Sequence, residues 1–246
     1  MMSRASTSLP APDPAIKAVA ALDDPLRRGM FRYIRLSHQP VTREAAAASV
    51  GISRKLAAFH LDKLVEAGVL RAHYGPVGGV RKVGRTPKVY EATDTDINIH
   101  IPPRQHELLA DILLEAVLTE GNGEDARQAA ARIAGQRGGE IGIRERHERR
   151  PGRLGRKRSL ALAEGVLARL GFEPTRESST CLRLRNCPFN PLAAKAPDLV
   201  CGLNEAFLTG LLAGFGTPSV RAVLAPRPGE CCVQLISALA SDGRLE

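Results

Sequence analysis

Residues 42–64 read TREAAAASVGISRKLAAFHLDKL, and this stretch decides the fold of the first part of the chain. Thr42 is a residue type that caps the N-terminus of a helix, and Gly51 permits a tight turn. Ser53 then caps a further helix, which Gly68 ends at the usual position after a helix C-terminus. The alanines before the turn are small, so the two helices can cross closely. The pattern therefore predicts a helix-turn-helix.

The residues on either side complete a domain around this motif. Asp24-Pro25 predicts a preceding helix, because aspartate caps a helix and proline is favoured at its first position. Strand character in Val69–Tyr74 and Val80–Ala92, with loop residues between them, predicts a β-hairpin. The predicted core of the motif is Val50, Ile52, Leu56, Leu61 and Leu64. A helix-turn-helix followed by such a wing is a winged helix domain, which we expect at residues 15–95, after a disordered lead-in at residues 1–14.

The remainder of the chain predicts two further segments. Residues 100–158 contain an amphipathic helix at 103–119 and an Ala-rich helix from Glu124 to Ala134. The basic stretch Arg144–Arg158, interrupted by Gly and Pro, predicts a linker. Residues 159–246 mix helix and strand patterns. The predicted fold class is α+β, with an N-terminal winged helix-turn-helix, a helical linker and dimerisation segment, and a C-terminal α/β effector domain.

The N-terminal part of the chain is basic, whereas its C-terminal part is neutral. The formal net charge is +9, and residues 1–100 contain 15 Lys and Arg against 9 Asp and Glu. Residues 159–246 contain 8 residues of each sign and hold all five cysteines. A basic front indicates a polyanionic partner. The chain has no continuous apolar run of the roughly 18 residues that a membrane span needs, so we expect no membrane partner and a cytoplasmic protein.

The exposed side of the third helix provides the chemistry for reading DNA. The first turn of such a helix meets base edges in the major groove, where Arg54 would donate to guanine and Lys55 would contact a phosphate. The hairpin adds cations that suit phosphates or the minor groove. We therefore expect double-stranded DNA as the partner, with contacts from Ser53, Arg54, Lys55, Ala58, Phe59, Lys63, Arg71, Arg81, Lys82 and Arg85.

The same chemistry predicts a homodimer on a palindromic operator, because one winged helix covers only a half-site. The helix at 103–119 offers an apolar stripe for the second copy: Leu108, Leu109, Ile112, Leu113, Ala116 and Val117. Packing of this stripe onto the winged helix domain of its own chain is the alternative.

The cysteines form the second candidate site. Cys187, Cys201 and Cys231 lie near predicted turns and strand ends, where a loop leaves a thiol free to face an ion. Cys232 follows directly and completes the expected set of metal ligands. Cys231 is preferred over Cys232, because it shares a strand face with apolar neighbours.

Three convergent thiols indicate an iron–sulfur cluster or a zinc ion. Every histidine lies at or before His147, so zinc would need a fourth cysteine, either Cys181 or Cys232. An iron–sulfur cluster tolerates a fourth ligand that is not a cysteine or that exchanges. The spacing contains no Cys-x-x-Cys pair. The alternative therefore stays open that the cysteines bind no metal and are small buried residues of a packed core.

Two groups of motifs carry a family resemblance. Residues Ser53–Leu64 with Val65–Leu70 behind them resemble the recognition helix, and its exit, of winged helix-turn-helix regulators of the ArsR type. Gly84-Arg85-Thr86-Pro87 and Tyr90 resemble the wing of the SufR branch of that family. This resemblance covers residues 20–93 and implies the fold and DNA binding.

The C-terminal motifs extend the resemblance to the effector domain of the same branch. They are Cys187-Pro188-Phe189 and Gly229-Glu230-Cys231-Cys232-Val233. Members of the branch are iron–sulfur-binding repressors, so the resemblance implies a repressor whose cluster is held by Cys187, Cys201 and Cys231 or Cys232. The adjacent cysteine pair and the additional Cys181 depart from the pattern.

Two other functions are alternatives to a cysteine-based sensor. The first keeps DNA binding but places a small organic ligand in an apolar pocket, with structural cysteines; its lining would be Leu203, Phe207, Leu211, Leu212 and Phe215. The second, an enzyme, is not expected. The C-terminal segment has no histidine to pair with a cysteine, and the chain has no Gly-rich phosphate loop or hydrolase serine motif.

Overall fold

The computed structural model describes residues 13–76, 86–119, 121, 123–149 and 155–237. It is an α+β structure that divides into two compact units, residues 1–99 and 100–246. Each unit has a hydrophobic core of its own. The two units are therefore described separately.

Aspartate-proline pairs begin the first two helices. Helix α1 spans Pro14–Asp23 and helix α2 spans Pro25–Ser37. Each follows an aspartate, Asp13 or Asp24, whose carboxylate accepts a backbone N–H bond from the first turn at 2.9 Å. The sequence predicted α2 but not α1, although both carry the same capping signal.

The predicted helix-turn-helix is formed by helix α3, Arg43–Ser49, and helix α4, Arg54–Glu66. Thr42 and Ser53 cap them as predicted, and each hydroxyl oxygen accepts a backbone N–H at 3.2 Å. Gly51, at the turn, has a φ of +69°, in the left-handed region that favours glycine.

A small antiparallel sheet completes the first unit. Its strands are β1 (Val41–Thr42), β2 (Leu70–Tyr74) and β3 (Lys88–Ala92), in the order β1-β3-β2. Strands β2 and β3 pair along their whole length and form the hairpin of the predicted wing. Of the predicted strand Val80–Ala92, Lys88–Ala92 forms β3, Thr86 and Pro87 precede it, and residues 80–85 lie outside the described residues.

The core of the first unit joins all of these elements, through Met30, Ile34, Ala46, Ala47, Ala57, Leu61, Leu64, Leu70 and Tyr90. Leu56 was predicted in this core, but it is 42% exposed, and its neighbour Ala57 is fully buried. Helical periodicity explains the difference. The buried positions Ala57, Leu61 and Leu64 recur at i, i+4 and i+7, and Leu56 lies off that face.

Five helices and a second sheet form the second unit as described. The helices are α5 (His106–Leu118), α6 (Ala126–Arg149), α7 (Arg156–Arg169), α8 (Leu192–Lys195) and α9 (Pro197–Phe215). The unit contains both the predicted helical segment at 100–158 and the predicted effector domain at 159–246, and their apolar residues share one core.

The sheet of the second unit is antiparallel throughout. It consists of β4 (Pro174–Arg176), β5 (Cys181–Leu184), β6 (Val220–Leu224) and β7 (Val233–Ser237), in the order β4-β5-β7-β6. Cys231 was predicted to lie within the last strand, but it precedes β7. Strand β7 begins at Val233 because the pairing of β7 with β6 starts there, opposite Leu224.

Helices α6 and α9 approach each other more closely than most side chains allow. Gly138 and Gly142 of α6 face α9, and Gly210 and Gly214 of α9 face α6. A Cβ atom added at any of these four positions would overlap a backbone carbonyl oxygen of the other helix. The two backbones are therefore in direct contact, which only glycine permits.

This packing corrects the prediction for residues 124–158. The sequence predicted a helix ending at Ala134 and a linker over Arg144–Arg158, but α6 continues to Arg149 and α7 begins at Arg156. Glycine lowers helix propensity by about 1 kcal/mol relative to alanine, so the glycines of α6 argued against a long helix. Contact with α9 overrides that propensity.

Among the described residues, α9 is the helix whose length and composition would allow it to cross a membrane. Its large apolar residues, including Phe207, Leu208 and Leu211, are fully buried in the core of the second unit. The helix is therefore apolar because it is central to that core.

Candidate functional site

Helix α4 presents cations and apolar side chains to solvent on one face. The exposed residues of the predicted set are Ser53, Arg54, Lys55, Phe59 and Lys63, and Ala58 is half-buried. Phe59 is 57% exposed, and Leu56 adds a second exposed apolar side chain that the sequence prediction missed. Cations suit phosphates and guanine, whereas apolar groups suit the methyl group of thymine.

Acidic neighbours partner several of these cations in the absence of DNA. Arg54 pairs with Glu44 of α3 at 3.4 Å, and Lys63 pairs with Glu66 at 3.0 Å. A hydrogen bond from its own backbone N–H, followed by the contact with Arg54, lowers the pKa of Glu44. Because both side chains of the Arg54 pair are more than half exposed, this pair holds Arg54 only weakly and can exchange for a nucleic acid.

The wing adds cations beside α4. Arg71 on β2 donates to Glu91 at 2.9 Å, and Lys88 on β3 donates to Asp62 of α4 at 3.2 Å. Lys88 also lies over the Tyr90 ring, 5.4 Å from its centroid. The remaining predicted wing contacts, Arg81, Lys82 and Arg85, lie outside the described residues.

Four cysteines from three parts of the chain meet in the second unit. Cys187 follows β5, Cys201 lies near the start of α9, and Cys231 and Cys232 precede β7. Neighbouring thiols of this set lie close enough to shift one another's pKa: Cys187 and Cys231, Cys231 and Cys232, and Cys232 and Cys201. These are the four residues predicted as metal ligands. Cys201 was expected near a turn but lies within a helix, because α9 begins earlier than its apolar pattern indicated.

Burial and mutual contact raise the pKa values of three of these thiols, Cys187, Cys201 and Cys231. The contact with Cys231, together with burial, raises the pKa of Cys187 far above its usual value. The contact with Cys187 lowers the pKa of Cys231, but the contact with Cys232 and burial raise it further, to about 11. Burial raises the pKa of Cys201. Any metal ligation here must therefore release protons.

Hydrogen-bond donors surround the two buried thiols. The backbone N–H groups of Phe189 and Asn190 point at Cys187 Sγ. Asn204 Nδ2 donates to Cys231 Sγ at 3.1 Å, and Asn204 is fully buried. Such N–H···S bonds are among the contacts that tune iron–sulfur centres. The sequence prediction missed Asn204, whose signal is an amide side chain within the apolar stripe of α9.

The chemistry of this donor set fits a thiophilic metal or an iron–sulfur cluster, since soft thiolate ligands select such groups. As the side chains stand, no three His, Cys, Asp or Glu residues within the described ranges are arranged around a metal-ion position. Four thiols in series would have to rotate to face a common centre. The donors are therefore assembled, whereas the coordination geometry is not.

A buried ion pair fixes the chain next to Cys231. Arg183 of β5 is fully buried, and Glu230 accepts hydrogen bonds from its Nε at 3.0 Å and its Nη2 at 2.7 Å. The same guanidinium donates to the carbonyl oxygen of Ala225 at 3.0 Å. Glu230 also pairs with Arg185. The position of the Cys231 backbone thus depends on a charged network that the sequence prediction did not include.

Cys181 lies apart from the four-cysteine cluster. Its Sγ donates to Glu177 at 3.5 Å and to Gln234 at 3.6 Å. Burial and the neighbouring carboxylate of Glu177 raise the pKa of this thiol. Cys181 therefore provides a matched control for the other cysteines.

The residues predicted to line an apolar pocket fill the core instead. Leu203, Phe207, Leu211, Leu212 and Phe215 are all buried. A separate open cavity of about 410 Å³ lies beside α9 and β6, and Leu212 is the member of the predicted set that lines it. Its lining is mainly apolar: Thr209, Leu212, Ala213, Gly216, Thr217, Pro218, Val220, Arg221 and Ala222.

Helix α5 divides the predicted dimer stripe between core and surface. Leu109, Ile112 and Ala116 are buried in the core of the second unit. That face is therefore not available to a partner. The large apolar residues that α5 leaves exposed are Leu113, Leu114, Val117 and Leu118, at 36%, 59%, 67% and 74%.

Comparison with known protein families places the first unit. Residues 22–73 match a family model described as a helix-turn-helix domain. No curated protein matches the chain. The matched residues run from the end of α1 through α2, α3 and α4 into β2, and so contain the capped motif and its exposed cations. The first unit thus contains a helix-turn-helix domain, which makes the chain a DNA-binding regulator of transcription.

Proposed function

We propose that this chain is a sequence-specific repressor that binds a palindromic operator as a homodimer and senses an iron–sulfur cluster or redox state through its C-terminal cysteines. The observation that carries the proposal is the meeting of Cys187, Cys201, Cys231 and Cys232 in one cluster.

The chain would bind the cluster through thiols that burial holds protonated, so that ligation would have to release their protons. Cys187, Cys201 and Cys231 or Cys232 would be the ligands, and Asn204 and the backbone N–H groups after Cys187 would stabilise their negative charge. An iron–sulfur cluster bound there would supply sensitivity to oxidants and to iron supply. The buried Arg183–Glu230 pair would keep the Cys231 segment in place as the thiols lose their protons.

The first unit would read DNA through the N-terminal part of α4. Arg54 would exchange its exposed partner Glu44 for guanine, and Lys55 would contact phosphate. A second copy would supply the other half-site, because a single winged helix reads only one. The exposed residues Leu114, Val117 and Leu118 of α5 support a contact between copies, since burying them would remove apolar surface from water.

The role of α4 predicts different results for its two leading cations. Arg54→Ala should cost about 1–3 kcal/mol of operator affinity and relax the sequence preference, whereas Lys55→Ala should weaken binding to all sequences and lower the salt slope by about one. The measurement is competition binding by fluorescence anisotropy at several salt concentrations, with a duplex selected from a random pool. Arg221→Ala removes one exposed positive charge from the second unit, so it is the control for the change in net charge. If Arg54→Ala weakened binding to all DNA sequences equally, the assignment of a base contact to Arg54 would be wrong.

The role of the cysteine cluster predicts loading with iron and sulfide. After anaerobic reconstitution, the wild-type chain should show broad visible absorbance with bound iron and sulfide. Cys187→Ser and Cys231→Ser should each abolish it, and Cys181→Ser should retain it. Circular dichroism should verify that each variant is folded. A wild-type protein that remains colourless and free of iron would contradict the cluster, and bound zinc in its place would identify a four-cysteine zinc site.

The second candidate is a regulator with a small organic ligand and structural cysteines. The open apolar cavity beside α9 and β6 favours it. A Cys187→Ser variant that still regulated transcription normally would support this alternative.

A further inference from the structure

The segment that leads from the DNA-binding unit into α5 is attached to the loop that carries Cys187. Residues 103–106 and residues 186–190 are joined by hydrogen bonds from both sides, and we call this contact the clasp. Gln105 donates its backbone N–H to the carbonyl oxygen of Pro188 at 2.8 Å. Arg104 Nη1 donates to Asn186 Oδ1 at 2.6 Å and to the carbonyl oxygen of Cys187 itself at 3.2 Å.

Two further bonds complete the clasp. His106 Nε2 lies 2.7 Å from the carbonyl oxygen of Asn190. Because a carbonyl oxygen only accepts, the proton of this bond must lie on Nε2. In the opposite direction, Asn186 Nδ2 donates to the carbonyl oxygen of Pro103 at 3.1 Å. Asn186 is buried, so these bonds are protected from exchange with water.

Close packing adds to the hydrogen bonds. Gly171 has a φ of +83°, and a Cβ added there would lie 2.8 Å from Pro103 Cβ. Asn186 Nδ2 also donates to the carbonyl oxygen of Gly171, at 2.5 Å. The connecting segment is therefore held at Pro103 by both close packing and a hydrogen bond to its backbone. Movement of the Cys187 loop must move that segment or break several bonds.

The other end of the connecting segment is attached to the DNA-binding unit. Thr93 Oγ1 donates to the carbonyl oxygen of Gly68 at 2.9 Å, directly after recognition helix α4. Ile97 packs against the core of the first unit. Only residues 98–103 then separate Ile97 from Arg104, and two of them, Pro102 and Pro103, have restricted backbones. Residues 93–106, which we call the tether, thus connect α4 to the cysteine cluster along the chain over a short distance in sequence.

We propose that the clasp couples the state of the Cys187 thiol to DNA binding, with Arg104 and His106 as positioning residues. Ligation or oxidation of Cys187 would move its carbonyl oxygen, and Arg104, which donates to that oxygen, would shift the tether that leads to α4. The inference rests on the proposed function in taking Cys187 as part of the sensing site. It deepens that function by naming the route of regulation.

Thermodynamic linkage provides a test that does not need a bound cluster. If the Cys187 loop affects DNA affinity, DNA must affect the Cys187 loop by the same factor. The measurement is the rate at which N-ethylmaleimide alkylates Cys187 in the full-length reduced protein, by peptide mass spectrometry, with and without saturating duplex selected from a random pool. Cys187 is only 4% exposed, so its rate reports opening of the loop.

In the wild type, DNA should change the alkylation rate of Cys187 by about fivefold or more, and that of Cys181 should not change. Arg104→Ala should bring the ratio for Cys187 close to one, with its DNA affinity in the reduced state retained. Arg132→Ala, which removes an arginine paired with Glu124 elsewhere in the same unit, should behave as the wild type. An unchanged Cys187 rate on DNA binding in the wild type, or a full response in Arg104→Ala, would overturn the coupling.

His106 supplies a second, milder pair of variants if Arg104→Ala does not fold. His106→Ala should reduce the response, and His106→Gln, which retains an N–H donor, should restore it. Failure of the coupling and failure of the cluster remain distinguishable. A protein that shows the DNA-linked response but never binds iron keeps the clasp and loses the cluster, and the reverse result keeps the cluster and loses the clasp.

Discussion

Glu230→Ala is expected to destabilise the second unit by about 3–5 kcal/mol. The reason is the environment of Arg183, whose side chain is completely buried and forms two hydrogen bonds with the Glu230 carboxylate. Removing the carboxylate leaves a guanidinium charge inside the protein without its counter-ion. The cost of that uncompensated charge exceeds the value of the pair itself. Urea denaturation, with hydrogen exchange of β5 and β7 to localise the effect, measures it.

A surface pair serves as the control for this variant. Glu164 accepts from Arg176 at 2.7 Å, but both side chains are more than a third exposed. Glu164→Ala should therefore cost less than about 1 kcal/mol. If Glu230→Ala cost no more than Glu164→Ala, water would have to reach Arg183, and the network beside Cys231 would not be buried in solution.

Gly138→Ala is expected to destabilise the same unit by about 3 kcal/mol, at the upper end for overpacked cores. The added methyl group would overlap the carbonyl oxygen of Phe207 and lie 2.9 Å from the backbone nitrogen of Leu211. A side chain could rotate out of the way, but these are backbone atoms. Helices α6 and α9 would therefore have to separate, and the core between them would lose contacts.

Gly202→Ala is the matched control, because Gly202 lies in α9 and a Cβ there meets nothing within 4 Å. Alanine should stabilise that position by up to about 1 kcal/mol, since it has the higher helix propensity. Thermal or urea unfolding of both variants gives the comparison. Equal stability of Gly138→Ala and the wild type would show that the two helices are farther apart in solution.

The first unit could be predicted well because its signals are local. Asp24, Thr42 and Ser53 each satisfy a free backbone N–H one turn away, and Gly51 adopts a conformation that other residues avoid. These effects act within a few residues, so they can be read from the sequence without knowledge of the fold. The one misplaced core residue, Leu56, differs from the buried Ala57 by a single step along the helix.

The second unit was predicted less well because distant contacts determine it. The length of α6 depends on glycines that pack against α9, about seventy residues later. Its glycines look like helix breakers until their partners are known. Cys201 was expected near a turn for a related reason. It lies within α9, which begins at Pro197, before the first buried apolar residue of that helix, Val200.

The candidate cysteine site shows the same division. The residue type alone suggested the hypothesis of a metal site, because the chain has few thiols and thiolates are ligands of soft metals. Glu230 adjoins Cys231, but Asn204 and Arg183 come from two distant elements, α9 and β5, so no local spacing in the sequence connects them to Cys231. The clasp is of this kind too, since Arg104 and Asn186 lie 82 residues apart.

The separate cores of the two units, joined by residues 93–106, make the chain suitable for constructing hybrid biosensors. A foreign helix-turn-helix domain could replace residues 13–97 without disturbing the cysteine cluster, provided that the graft keeps the clasp. A crossover placed after His106 would remove the clasp, and on the proposed coupling the DNA-binding domain of such a hybrid would no longer respond to the state of Cys187. Junction position, rather than linker length, should therefore decide whether such a hybrid responds to its input.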